Sequence, residues 1–190
     1  MKRITLLTII GLSAMTFAVI SCSKSSGSST PAAPTLYDSL GGTALVQDPT
    51  ATSGTKIESG YLLIRSIIDS TIFVIAADNQ INKYFQVLIA EVSATPPNYT
   101  GYMELTKNLT TFVAVGTGAK DYTYTGLSMS AAHNPSTNSR ISSKVDNPDF
   151  TEFENDLVAG AAKNGVLSSN PALQSVARIV ESLRGVVVQQ

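Results

Sequence analysis

Tyr124-Thr125-Gly126-Leu127-Ser128-Met129-Ser130-Ala131-Ala132-His133 holds the chain's single histidine, one helical turn after Met129 and just before the breaker pair Asn134-Pro135. Neutral imidazole is the side chain most often used to hold a metal or a haem iron. A short segment that ends on a histidine and then breaks can press one ring nitrogen against a flat cofactor. Without a second histidine the chain cannot assemble a His-rich zinc site, a Ser-His-Asp triad or a bis-histidine haem. One axial bond to one iron remains open to it. A lone histidine beside a loop is more often a surface or hydrogen-bonded core residue, so its surroundings decide the reading.

Upstream, Met103, Leu105, Leu109, Phe112 and Val113 line a predicted helix that ends at Gly116-Thr117-Gly118. From Ile57 to Ala77, the positions Tyr61, Ile64, Ile68, Ile72 and Ile75 form one stripe, widened by Leu63, Ile67, Phe73 and Val74. Its Ile and Val content would allow strand, but its length favours helix. Asp78-Asn79 breaks it, and Ile81 to Val92 predicts a second, shorter helix carrying Tyr84, Phe85, Leu88 and Ile89. Thr95-Pro96-Pro97-Asn98 is a loop, since no helix crosses a proline pair. Downstream, Asn134 to Asn147 is polar and reads as extended. Asp149 to Lys163 repeats Phe150, Phe153, Leu157 and Ala161 at helical spacing, with Gly165 as its C-cap. Asn170-Pro171 opens a last helix in the favoured cap and first-turn positions, striped by Leu173, Val176, Ala177, Val180, Leu183 and Val187. Nearer the front, Leu36 to Gly42 suggests a helical turn closed by a glycine pair, and Gln47 to Thr55 is a loop by composition. The sum is an all-α domain with long connections.

The first residues read as an address. Residues 1–21 form a signal peptide, with Lys2-Arg3 ahead of an apolar run from Ile4 to Ile20. Val19-Ile20-Ser21-Cys22 resembles the bacterial lipobox, whose cysteine is lipidated and becomes the new N-terminus, so Cys22 is the expected lipidation site. Several acyl chains would anchor it stably, at about 0.8 kcal/mol per buried methylene. Residues 22–35 are rich in Ser, Gly, Pro and Ala and read as a flexible tether of roughly 20 Å. The expected location is therefore the bacterial cell envelope, lipid-anchored at the periplasmic face or cell surface. One cysteine allows no internal disulfide, and residues 36–190 suffice for one domain with a sizeable core. Thirteen Lys and Arg against fourteen Asp and Glu, all scattered, give no indication of nucleic acid.

The histidine segment, with Tyr124-Thr125-Gly126, Ser128-Met129 and Ala132-His133, resembles the proximal segment of the truncated haemoglobins, the short globins of bacteria, group I-like. Leu36-Tyr37-Asp38-Ser39-Leu40-Gly41-Gly42 resembles their opening motif, and Ala76-Ala77-Asp78 with Tyr84-Phe85 is similar to a third mark, all in the family's order. The resemblance implies a truncated globin, a two-over-two helical sandwich around haem b, here with long inserted loops. His133 matches the proximal iron ligand and Phe85 the aromatic that packs on the haem face. Phe112 and Met129 match pocket-lining positions, and Leu105, Leu109 and Phe150 are expected in the same pocket. Such globins bind oxygen, nitric oxide or carbon monoxide at the iron's free side, with a redox partner that the sequence does not name.

Two departures from the family stand out. Extra residues follow Gly42, Phe85 and His133, on the order of ten each, a length that surface loops tolerate. Bound oxygen carries partial negative charge and is held better by a donor, and the family often supplies tyrosine and glutamine there. The matching positions here are Ile72, Leu105 and Leu109, all apolar, with Thr71, Tyr99 and Tyr102 as remaining candidate donors. Losing a charge-assisted hydrogen bond of about 1.5–3 kcal/mol weakens oxygen retention by roughly one to two powers of ten. Lys107, Arg140 and Lys144 could reach a haem propionate but are expected in solvent, and Met103 is expected to fill core rather than ligate iron. Asp146, Asp149, Glu152, Glu154 and Asp156 form an acidic run that suits a helix N-terminus better than a catalytic pair. The expected function is a gas-binding haem protein. Its alternative is a haemless globin-fold lipoprotein serving as a structural or interaction domain. Peroxidase or nitric oxide dioxygenase activity ranks lower, because no distal acid or base is evident.

Overall fold

Thr35 and Asp38 cap each other's amides, at 3.1 and 2.6 Å, and this reciprocal pair starts the one-turn helix α1 (Leu36–Ser39). The structure is a computed structural model that describes residues 33–190; the signal peptide, Cys22 and most of the tether lie outside the described residues. Gly41 and Gly42, at φ +119° and +62°, then turn the chain in a way that a side chain would resist.

The chain next forms an element missing from the all-helical expectation. β1 (Leu45–Gln47) pairs antiparallel with β2 (Lys56–Glu58), with Val46 opposite Ile57. Three residues per strand leave no alternation long enough to read. The loop expected over 47–55 is the connection of this hairpin. Asp48 fastens it, accepting from Arg65 at 2.7 and 3.1 Å and from the Thr50 amide at 2.9 Å.

α2 (Ser59–Ala77) buries Ile64, Ile67, Ile68 and Ile75 from its stripe together with Thr71, while Phe73, expected on the same face, is 67% exposed. It crosses α6 (Asn147–Lys163) in the most extensive helix contact of the domain. Gly160 makes this crossing possible, because a Cβ there would fall 2.2 Å from Thr71 Oγ1 and 2.7 Å from the Thr71 amide nitrogen. α2 also packs on α4 (Thr100–Thr117), while α7 (Pro171–Glu181) packs on both α4 and α6. α2 and α4 thus lie over α6 and α7, the expected two-over-two arrangement. Asp146 and Asn170 cap α6 and α7 through the amides of Asp149 and Ala172, with proline in each first turn.

Three expected elements take another form. The helix over 81–92 divides into a 3-10 turn (Asn82–Phe85) and α3 (Gln86–Ser93). The last stripe is interrupted after Glu181, and α8 (Arg184–Val187) follows. Arg184 accounts for the break: it pairs with Glu154 and Glu181, each at 2.7 Å, and lies 4.4 Å from the Phe150 ring centre, which draws the chain back onto α6. Residues 135–140 form two turns rather than extended chain, because the Thr137 and Ile141 amides bond back to the carbonyls of Asn134 and Asn138. The stretch 141–146 carries a strand-like bridge from Val145 to Val188.

Candidate functional site

The histidine segment folds as one helical turn, α5 (Met129–Ala132), capped by the Ser128 hydroxyl. His133 closes it. Its Nδ1 lies 2.9 Å from the Met129 carbonyl oxygen. A carbonyl can only accept, so Nδ1 carries the proton and Nε2 keeps its lone pair. Among the described residues nothing hydrogen-bonds Nε2. Burial pushes the imidazole's pKa down, with the Met129 bond opposing in part, so the ring stays neutral. A neutral ring oriented by a backbone acceptor is the usual state of a metal-binding histidine.

Other side chains hold this turn in place. Thr137 donates to the Ala131 carbonyl at 2.6 Å, Asn138 to Ala132 at 2.8 Å and Gln189 to Ser130 at 2.9 Å. No sequence spacing announced these partners, since each bond runs from a side chain to a carbonyl. The hydroxyl of Tyr124 is occupied nearby, donating to the Leu127 carbonyl at 2.6 Å while its ring meets Phe112 edge-on.

His133 faces a cavity of about 940 Å³, toward the upper end of the roughly 300–1,000 Å³ common for small-molecule and cofactor sites. Phe85, Leu105, Leu109, Phe112, Met129, His133 and Phe150 all line it, together with Ile72, Val113, Phe153 and Val180. The walls are therefore mainly apolar and come from α2, α4, α6, α7 and the 3-10 turn. The three candidate donors are elsewhere. Thr71 donates to its own helix at Ile67, 2.8 Å away; Tyr102 donates to Asp69 at 3.1 Å; Tyr99 is half exposed; none lines the cavity.

The charged rim corrects two expectations. Arg140 is not left to solvent but joins Glu91 at 3.4 Å and Glu104 at 2.9 Å beside the cavity. Met103 does not fill core; it stands at the rim with 66% of its surface exposed. Lys107 also lines the cavity and Lys144 is exposed. A further cluster escaped the sequence reading: Tyr84 donates to buried Asp149, which also takes Lys83 at 2.8 Å and Gln80 at 3.2 Å. Burial works against ionising Asp149, but Lys83, Tyr84 and Gln80 outweigh it and hold its carboxyl below the usual range. The only hint was an acid in the first turn of α6, which by itself says no more than helix dipole.

No family model matches the chain, and no curated protein matches it. Among solved structures, the chain is similar to a truncated haemoglobin from Tetrahymena pyriformis, a tyrosine-to-phenylalanine variant in its Fe(III) form. The TM-score is 0.56 at 18% identity, over 83% of this chain and 100% of the other. The domain therefore has the truncated-globin fold.

Proposed function

We propose that this domain binds haem b through His133 and serves as a receptor for a small diatomic gas. The observation that carries the reading is the fixed imidazole: Nδ1 committed to Met129, Nε2 free, and an apolar cavity in front of it. The residues present fit the group. His133 would hold the iron, Phe85, Phe112 and Phe150 would pack against the porphyrin, and Lys107 at the rim suits a propionate. Haem supplies an iron that takes oxygen, nitric oxide or carbon monoxide on its free face.

The protein's own part is to position and to disfavour water. Met129 fixes the ring's tautomer and direction, and the apolar walls offer water few hydrogen bonds inside the cavity. Ile72, Leu105 and Leu109 offer a gas no hydrogen bond, so nitric oxide and carbon monoxide suit the pocket better than oxygen does. The test is reconstitution of the purified protein with haemin, followed by visible spectra of wild type and His133→Ala. A Soret band that depends on His133 supports the proposal, and no incorporation by the wild type would overturn it.

The proposed setting is the bacterial envelope, with Cys22 as the lipid anchor. The Val19-Ile20-Ser21-Cys22 run after an apolar segment supports it. Cys22→Ser should move the protein from the membrane to the soluble fraction; retention in the membrane would rule the anchor out.

A further inference from the structure

Away from the haem cavity, two helices bring three carboxylates together. Asp78 follows the last turn of α2, and Glu152 and Asp156 stand one turn apart on α6. One oxygen from each lies within 4.8 Å of the other two. Asp156 is only 5% exposed, and its Oδ2 is buried without a hydrogen-bond partner; Asp78 Oδ2 is also buried and unpartnered. Among the described residues no lysine or arginine pairs with any of the three. Burial first, then Asp78 and Glu152, push the Asp156 carboxyl up to about 6. Asp78 also sits at the negative end of the α2 dipole, where a cation is favoured and a bare carboxylate is not.

We propose that Asp78, Glu152 and Asp156 form a Ca²⁺ site that ties the end of α2 to the middle of α6. An all-oxygen donor set selects a hard cation over zinc or copper. All three oxygens lie within 4.8 Å of one another, close enough to share one Ca²⁺ at its usual oxygen distances of roughly 2.3–2.6 Å. Ca²⁺ also tolerates irregular geometry and a mixed shell of carboxylates and water better than Mg²⁺, which demands a near-ideal octahedron. The remaining ligands are water, since the cluster has a partly exposed side at Asp78 and Glu152. The ion would offset three converging negative charges beside the turn that carries Tyr84 and Phe85 into the haem cavity. This inference does not depend on haem.

The test is calorimetric titration of the chelator-stripped, full chain with CaCl₂, alongside thermal unfolding with and without CaCl₂. One site with a Kd of about 10⁻⁴–10⁻³ M is expected, as in other extracellular modules, with a Tm that rises as Ca²⁺ is added. Asp156→Asn and Glu152→Gln should each weaken binding tenfold or more and lose most of the Tm response. Should Asp156→Asn fail to fold, Glu152→Gln, at a partly exposed position, carries the test. No heat and no Tm response at about 10 mM CaCl₂, above the expected range, would overturn the site. So would an undiminished response in the variants, and tighter binding of MgCl₂ would overturn the assignment to Ca²⁺.

Discussion

The Tyr37 hydroxyl donates to Glu58 Oε2 across 2.6 Å in the interior of the domain. Tyr37 is 1% exposed and Glu58 5%, so neither group has water as a substitute partner. Burial, followed by the glutamate, pushes the tyrosine's pKa up. The bond ties the opening motif to the residue that introduces α2.

Removing that hydroxyl strands a buried carboxylate. Tyr37→Phe should therefore cost about 1–3 kcal/mol, read as a lower urea midpoint with an unchanged slope. Replacing Glu58 with Met in the same background should restore part of the loss, because the orphaned charge goes with it. A fully stable Tyr37→Phe would show that the bond carries no weight.

Gly160→Ala should be costly for a different reason. The added methyl meets Thr71 backbone as well as its hydroxyl, with Cα at 2.8 Å. The helices must separate, at about 1–3 kcal/mol or more. Thr71→Ala in the same chain should not rescue it, since the backbone contact remains. Full rescue would mean that α2 and α6 are not as close as described.

On the proposed haem reading, the apolar Ile72, Leu105 and Leu109 predict fast oxygen release from the ferrous protein. Leu105→Gln places a donor on a cavity wall, and it should slow release by about ten- to hundredfold in stopped-flow measurements. Carbon monoxide release should change much less. Slow oxygen release in the wild type would contradict the placement of Thr71, Tyr99 and Tyr102 outside the cavity.

Asp48 sets a pH dependence. Arg65 first, then the Thr50 amide, hold its carboxyl well below the usual range. A depressed folded pKa gives stability that is present above the unfolded value of about 4 and is lost as pH falls through the folded one. Asp48→Asn should be less stable than wild type at pH 7, with a shallower decline below about pH 5 in denaturant titrations. Parallel acid limbs for the two proteins would refute this account.

Much of this architecture could be read from spacing. The length of α2 and the stripe of α6 mark them as helices, and Asn170-Pro171 marks the start of α7 unaided. The stripe of α4 instead turns to the cavity, while its buried face is Thr106, Thr110, Thr111 and Ala114, which no hydrophobic pattern announced. The hairpin was invisible because three-residue strands carry no period. The break before α8 was hidden because Arg184 answers to Glu154, thirty residues earlier in the chain. At the site, His133 and its apolar neighbours were visible as residue types. Their finer control was not: Met129 acts through a carbonyl that every residue possesses, and Tyr84 meets Asp149 only after folding.

Arg140 joins two stretches of chain that are far apart in sequence. It follows His133 in the chain, while Glu91 lies on α3 after Phe85. Glu91 already has one buried oxygen without a partner, and Gly101 leaves it room, since a methyl there would fall 2.3 Å from that oxygen. Losing Arg140 would leave Glu91 without its ion-pair partner, whereas losing Glu91 would leave Arg140 its closer pair with Glu104. The dependence is thus one-sided: Glu91 needs Arg140 more than Arg140 needs Glu91.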